Sequence, residues 1–189
     1  IIGPVFNENQ TYLDELTEIT FISLTNKSGN KSKNIINAGI NATSQLNGIK
    51  KFIELNEIKK TIFLTPDVSY KDEIKKAINN SKIKILGSYI YKTDPTKLTN
   101  QIEKITNYKR RKQNLEDEIV RLEKSNQGNK ERLIEKLKKR DTLGGVKFDS
   151  IIIADFDESL KSVTTSLLYT DISPKKKYFI TFNQWFDKS

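Results

Sequence analysis

Short apolar runs alternate along this chain with amphipathic stretches of helical period, and that alternation restricts its fold more than any other feature. "TFISLT" (20–25), "KTIFLT" (60–65), "IKILGSYIY" (83–91), "FDSIIIA" (148–154) and "KYFITF" (177–182) read as strands. Between them, "NATSQLNGIKKFIEL" (41–55) sets Leu46, Ile49, Phe52 and Ile53 on one helical face. "SYKDEIKKAINN" (69–80) reads as a helix opened by a Ser69 cap with acids in its first turn. Residues 158–169 form another helix. Helices between successive strands act as right-handed crossovers, so the expected class is α/β, a parallel sheet flanked by helices. Strands near 61–65, 83–87, 150–154 and 178–182 are expected in one sheet.

One segment breaks the rhythm. From Thr96 to Asp141 there is no strand, only a charged helical pattern. Leu98, Ile102 and Ile105 carry its first apolar stripe, Leu115, Ile119 and Leu122 the second, and Leu133, Ile134 and Leu137 the third, after "SNQGN" (125–129). The expectation is an inserted long helical hairpin at 97–142, turning at Gly128. One helix over 96–124 would be about 43 Å long, more than a crossover needs, so part of it should project as an arm.

The 189 residues contain neither Cys nor His, which removes thiolate and imidazole chemistry and Cys/His zinc sites. The formal charge of +9 is mostly lysine spread over helices and loops. A nucleic-acid face interleaves Arg with aromatics, and no such stripe occurs, so nucleic acid is not an expected partner. No run approaches the ~20 apolar residues of a membrane helix. The opening "IIGPVF" reads as the end of a strand, so the chain is expected to be a piece of a longer protein, with any targeting segment elsewhere.

The string "IIIADFDESL" (151–160) sets Asp155, Asp157 and Glu158 directly after an apolar strand. Haloacid-dehalogenase phosphatases carry a similar Asp-x-Asp, where the acids hold magnesium and attack a phosphoryl group. Those enzymes also need a downstream Ser/Thr, a Lys and a second acid pair. About thirty residues follow Asp157 and hold no such pair. A magnesium-dependent phosphatase is therefore the least favoured function; Asp157 is expected to cap the helix beginning near Glu158. There is no glycine-rich phosphate loop either. No catalytic residue, metal ligand or cofactor is assigned.

Several strings line up with one family. "IIGPVF", "LTEITFISLTNKS" (16–28), "FIELNEIKKTIFLTPDVSYKDE" (52–73) and "IKILGSYIYKTDPT" (83–96) resemble type I periplasmic binding proteins, the leucine/isoleucine/valine-receptor fold, with Lys71 where that family usually has Gly. "DTLGGVKFDSIIIADFDESLKSVTTSLLYTDI" and "ITFNQWFD" resemble one branch, the penicillin-binding-protein activator-like lipoproteins, through Phe148, Asp149, Leu167, Leu168, Tyr169, Asp171, Trp185 and Asp187. Asn183 departs from the Gly or Thr usual there.

The resemblance implies a lobed, non-catalytic domain: residues 1–50 a partial first lobe and crossover, 51–96 and 143–189 a second α/β lobe, and 97–142 the helical insertion. It implies a periplasmic or envelope-anchored protein that binds a protein partner, a cell-wall synthase, and as a second partner a small amino-acid-like ligand. The alternative it implies is a solute receptor of an ABC transporter. By motif position, Asn7, Thr25, Asn26, Tyr70, Asp155 and Phe156 are the candidate ligand residues, with Asp155 suited to an ammonium group. Arg110, Arg111 and Arg121, on the arm, are the candidate partner-binding residues, and the arm's apolar seam is a candidate for self-association.

Overall fold

The computed structural model describes residues 1–3, 12–26 and 32–182. It is an α/β fold with parallel sheets, and it divides into two compact units. One comprises the described parts of Ile1–Ile58, Val68–Lys84 and Thr181–Ser189, the other Lys59–Asp67 and Ile85–Ile180.

In the first unit, strands β1 (Phe21–Ser23) and β2 (Ile35–Asn37) pair in parallel, with Phe21 opposite Ile35 and Ile22 opposite Ile36, and Ile2 adds a bridge to Ile22. The side-chain amide of Asn34 donates to the carbonyls of Leu13 and Leu16 at 2.8 and 3.0 Å, tying a short 3-10 turn (Leu13–Glu15) to the start of β2. Helix α1 (Ala42–Leu55) begins where Asn41 Oδ1 accepts the Ser44 amide at 2.9 Å. It buries Ala42, Leu46 and Ile53 and packs on α2 (Lys71–Ser81), which buries Ile74, Ala77 and Ser81. Phe52, expected on the buried face of α1, is exposed instead. The cap expected at Ser69 is also displaced. Tyr70 is the N-cap of α2 and makes no side-chain capping bond; Asp72 and Glu73 hold the first turn.

The second unit is built on four strands in the order β4-β3-β5-β6: β3 (Thr61–Pro66), β4 (Gly87–Tyr91), β5 (Ser150–Ile153) and β6 (Tyr178–Thr181). β3 pairs in parallel with both neighbours, Ile62 to Pro66 against Gly87 to Tyr91 and Thr61 to Leu64 against Ser150 to Ile153. The Tyr178 amide donates to the Asp149 carbonyl at 3.1 Å, so β6 begins beside the beginning of β5. All six residues of β3 and all four of β5 are buried, as expected of central parallel strands. β4 starts four residues later than the run of apolar side chains suggests. Lys82 ends α2 in the left-handed region (φ 52°), and residues 83–86 are used in the turn back to the sheet.

Helices α3 (Pro95–Ile105), α4 (Tyr108–Glu123), α5 (Lys130–Lys138) and α6 (Asp157–Tyr169) complete this unit. The single helix expected over 96–124 is broken at Thr106 and Asn107, where Asn107 takes φ 51°. The stripe of α3 (Leu98, Ile102, Ile105) and that of α4 (Leu115, Leu122) are about 120° out of phase on one straight helix, so both can be buried only if the helix breaks. α3 therefore does not project. Leu98 and Ile102 join Ile62, Leu64, Ile151, Ile153, Val163 and Leu167 in the core, and α3 packs on α6. α4 and α5 form the hairpin, packed on each other, with Leu115 and Leu122 buried and Leu133, Ile134 and Leu137 half-buried between charged faces.

Candidate functional site

The mouth of the second unit is the place to look for chemistry, because ligands of open α/β sheets bind at the carboxyl ends of strands. Asp155 stands two residues past β5 and is buried. Its Oδ2 accepts the hydroxyl of Tyr91, the last residue of β4, and the hydroxyl of Ser159 at 2.6 Å from the first turn of α6. Its Oδ1 accepts the Phe156 amide at 2.9 Å. Three donors thus converge on one carboxylate and join the ends of two strands to the start of a helix. Asp155 is thus a structural knot at this end of the sheet.

The other acids of the motif point outward. Asp157 does not cap α6 as expected; it is the first residue of the helix, at φ 50°, with Phe156 in the N-cap position. Glu158 is exposed and pairs with Lys161 at 2.5 Å. Both acids still favour the positive end of the α6 dipole. Among the described residues no group of three or more His, Cys, Asp or Glu is placed to hold a metal ion. No buried side-chain nitrogen or oxygen among them lacks a hydrogen-bond partner.

In the first unit, Thr25 is buried just past β1 and Asn26, half-buried, follows it. The chain after β2 runs against this stretch. A Cβ on Gly39 would lie 1.9 Å from the Thr25 carbonyl oxygen, so the backbones touch there. Tyr70 is half-buried at the head of α2. Of the six candidate ligand residues, Thr25, Asn26 and Tyr70 belong to the first unit and Asp155 and Phe156 to the second. Asn7 lies outside the described residues, as do Asn183, Trp185 and Asp187.

The three arginines of the arm have different surroundings. Arg110 is exposed. Arg121 is exposed and held in a two-point pair with Glu118, Nε to Oε2 at 2.7 Å and Nη2 to Oε1 at 2.6 Å, which raises the arginine's pKa and lowers the glutamate's. Arg111, assigned from the sequence to a partner surface, faces inward with 5% of its surface exposed. Its Nε donates to the Thr106 carbonyl at 3.0 Å, Nη1 to the Thr142 hydroxyl at 3.0 Å and Nη2 to the Thr170 carbonyl. Thr106 and Thr170 are the C-caps of α3 and α6, so one guanidinium terminates two helices. Burial lowers its pKa, while Asp171 and Tyr108 oppose the shift. Beside it the rings of Tyr108 and Tyr169 stand 5.4 Å apart, and burial raises the pKa of Tyr108.

No family model matches the sequence. No curated protein matches it either. Among solved structures, the chain resembles an ABC transporter substrate-binding protein from Desulfitobacterium hafniense, with a TM-score of 0.56 and 12% identity, over 97% of this chain and 46% of that one. A solute-binding protein of an ABC transporter from R. palustris, solved in complex with 4-hydroxybenzoate, aligns with a TM-score of 0.47 and 9% identity over 96% of this chain and 42% of its own. The chain thus spans less than half the length of each of these two proteins. Its fold resembles part of the fold of the D. hafniense protein.

Proposed function

We propose that this chain is a non-catalytic binding domain of a bacterial envelope protein, and that it acts by docking a protein partner of the cell-wall-synthase class. The observation that carries the reading is the likeness of its fold, across 97% of its length, to a substrate-binding protein. The engaged state of Asp155 supports it, because the one acidic motif that suggests phosphoryl chemistry is occupied inside the fold. On this reading residues 1–50 belong to a first lobe and its crossover, 51–96 and 143–189 to a second lobe, and 97–142 to an insertion. The partner-binding branch rests on sequence strings and on Arg110 and Arg121, exposed on one face of α4, the second paired with Glu118. The apolar seam of the arm, the candidate for self-association, is covered within the α4–α5 hairpin, where Leu115 and Leu122 are buried. A periplasmic or envelope-anchored location belongs to the same reading; no described helix is long and apolar enough to cross a membrane.

The test is capture of a purified bifunctional cell-wall synthase by the immobilised chain, compared with the double variant Arg110→Glu/Arg121→Glu. Loss of capture in the variant supports docking through α4. Equal capture by both would remove the arm from the interface, and no capture by either would remove the partner.

The solute-receptor reading has one observation of its own, the nature of the D. hafniense neighbour. Under it, Thr25, Asn26 and Tyr70 in the first unit, and Asp155 and Phe156 in the second, remain the candidate ligand residues that the family resemblance names. Calorimetry with leucine tests it. Micromolar binding that weakens in Thr25→Val would favour the receptor over the synthase partner.

A further inference from the structure

A polar cavity of about 490 Å³ opens in the second unit where α5 ends, lined by Arg140, Asp141, Thr142, Gly144, Asp171 and Lys176. Lys139 also lines it, so three cations face two carboxylates. We propose that this cavity binds a small multivalent oxyanion, of the phosphate or polycarboxylate class. None of its residues belongs to the candidate ligand set or to the candidate partner surface.

The cavity wall is built rather than loose. Arg111, behind it, donates to the Thr142 hydroxyl, and that hydroxyl donates to Asp171 Oδ2 at 2.7 Å. Asp171 Oδ1 faces the Lys176 ammonium at 3.5 Å. Asp171 is thereby satisfied within the wall, and at that distance Lys176 keeps donors for a ligand. The Arg140 guanidinium makes no hydrogen bond or ion pair among the described residues, so its planar fork is available, and that fork matches the spacing of oxygens on a phosphate or carboxylate. Gly144, at φ 96°, turns the backbone at the cavity without adding a side chain. The competing use of these cations is to offset the negative end of the α5 dipole. That use needs charge at the helix terminus but no defined stoichiometry.

The two uses separate in a titration of the whole chain with inorganic phosphate, and in parallel with citrate, at ionic strength held constant with sodium chloride, because screening alone moves exposed charges. Backbone amide shifts of Arg140, Thr142 and Gly144 are the readout. The expected result is a saturable, one-site response of these amides to at least one of the two anions. It should weaken about tenfold or more in Arg140→Glu/Lys176→Glu and be largely kept in Arg140→Lys. Saturation by phosphate alone assigns the phosphate class, and by citrate alone the carboxylate class. Both substituted side chains are exposed, and far-ultraviolet dichroism of the variant checks that it is folded. A linear response spread over the surface lysines, the same in wild type and variant, would overturn the proposal and leave the cations as partners of the helix end.

Discussion

The Nε of Arg111 lies 3.0 Å from the carbonyl oxygen of Thr106, which is the C-cap of the preceding helix. The chain leaves α3, turns through Asn107 and, four residues into α4, sends a cation back to close the helix it has just left. The same guanidinium reaches Thr170 at the end of α6. A helix end buried without such a partner leaves carbonyls unsatisfied. The position of α4 on this unit is therefore fixed by polar contacts at its base, while Leu115 and Leu122 hold α5 to it.

Arg111→Met removes three donors from buried acceptors at once, and about 2–5 kcal/mol of stability is expected to be lost in urea unfolding. Arg111→Lys should recover little, because an ammonium cannot span Thr106, Thr142 and Thr170 together. Arg110→Met, one residue earlier and exposed, should fall within about 0.5 kcal/mol of wild type. Equal effects at 110 and 111 would contradict the inward placement.

Asp155 gives a second prediction. Asp155→Asn keeps an acceptor for the Phe156 amide but sets an amide against the Tyr91 and Ser159 hydroxyls, and a loss of about 1–3 kcal/mol is expected. Tyr91→Phe removes only one donor and should cost less, about 0.5–1.5 kcal/mol. Wild-type protein given magnesium and a phosphate ester should show no turnover above background. Steady hydrolysis that disappears in Asp155→Asn would make the carboxylate a nucleophile and not a knot.

How far these features could be read in advance depends on their range in sequence. The central strands were legible because Ile62–Leu64 and Ile151–Ala154 are continuous apolar runs. β2 was not: Ile35 and Ile36 are two apolar residues among asparagines and a glycine, and they become a strand only beside Phe21 and Ile22. Arg111 carried a signal that residue type alone hides. It sits four and eleven positions before Leu115 and Leu122, on the same buried stripe, whereas Arg110 is a hundred degrees away. Asp155 was visible as a strand-end acid, but its partner Tyr91 is 64 residues distant, and nothing local announces that pairing.

The start of α3 should respond to acid. Asp94 is the N-cap, and it accepts the Thr96 amide at 3.0 Å and the Thr96 hydroxyl at 2.7 Å. The Thr96 bonds, with a smaller contribution from Lys97, hold its pKa below the ordinary 3.8. A folded-state pKa below the unfolded one means the stabilisation is complete above 3.8 and disappears as pH falls through the lower, folded value. Amide-exchange protection of Leu98 should accordingly decline below pH 3.8 in wild type. Asp94→Asn, which caps without titrating, should remove that dependence. An unchanged profile in the variant would assign the loss to another carboxylate.

Two glycines should answer the same substitution with opposite signs. Gly39 follows β2, and the chain there continues alongside β1: the Ala38 amide donates to the Ser23 carbonyl at 2.8 Å. A Cβ at Gly39 would stand 1.9 Å from the Thr25 oxygen and 2.5 Å from the Leu24 oxygen, both backbone atoms that no side-chain rotation can clear. Gly39→Ala must therefore move the loop after β1, at an expected cost of about 1–3 kcal/mol. Gly48 lies inside α1, where a Cβ would meet nothing within 4 Å. Gly48→Ala relieves the entropy penalty of a helical glycine and should stabilise by about 0.5–1 kcal/mol. Urea midpoints of the two variants measure both effects. Because Gly39 presses on the residue before Asn26, its alanine variant should also shift the Thr25 and Asn26 amides, while Gly48→Ala leaves them in place. A Gly39→Ala protein as stable as wild type, with those amides unmoved, would show that the two backbones do not touch as described.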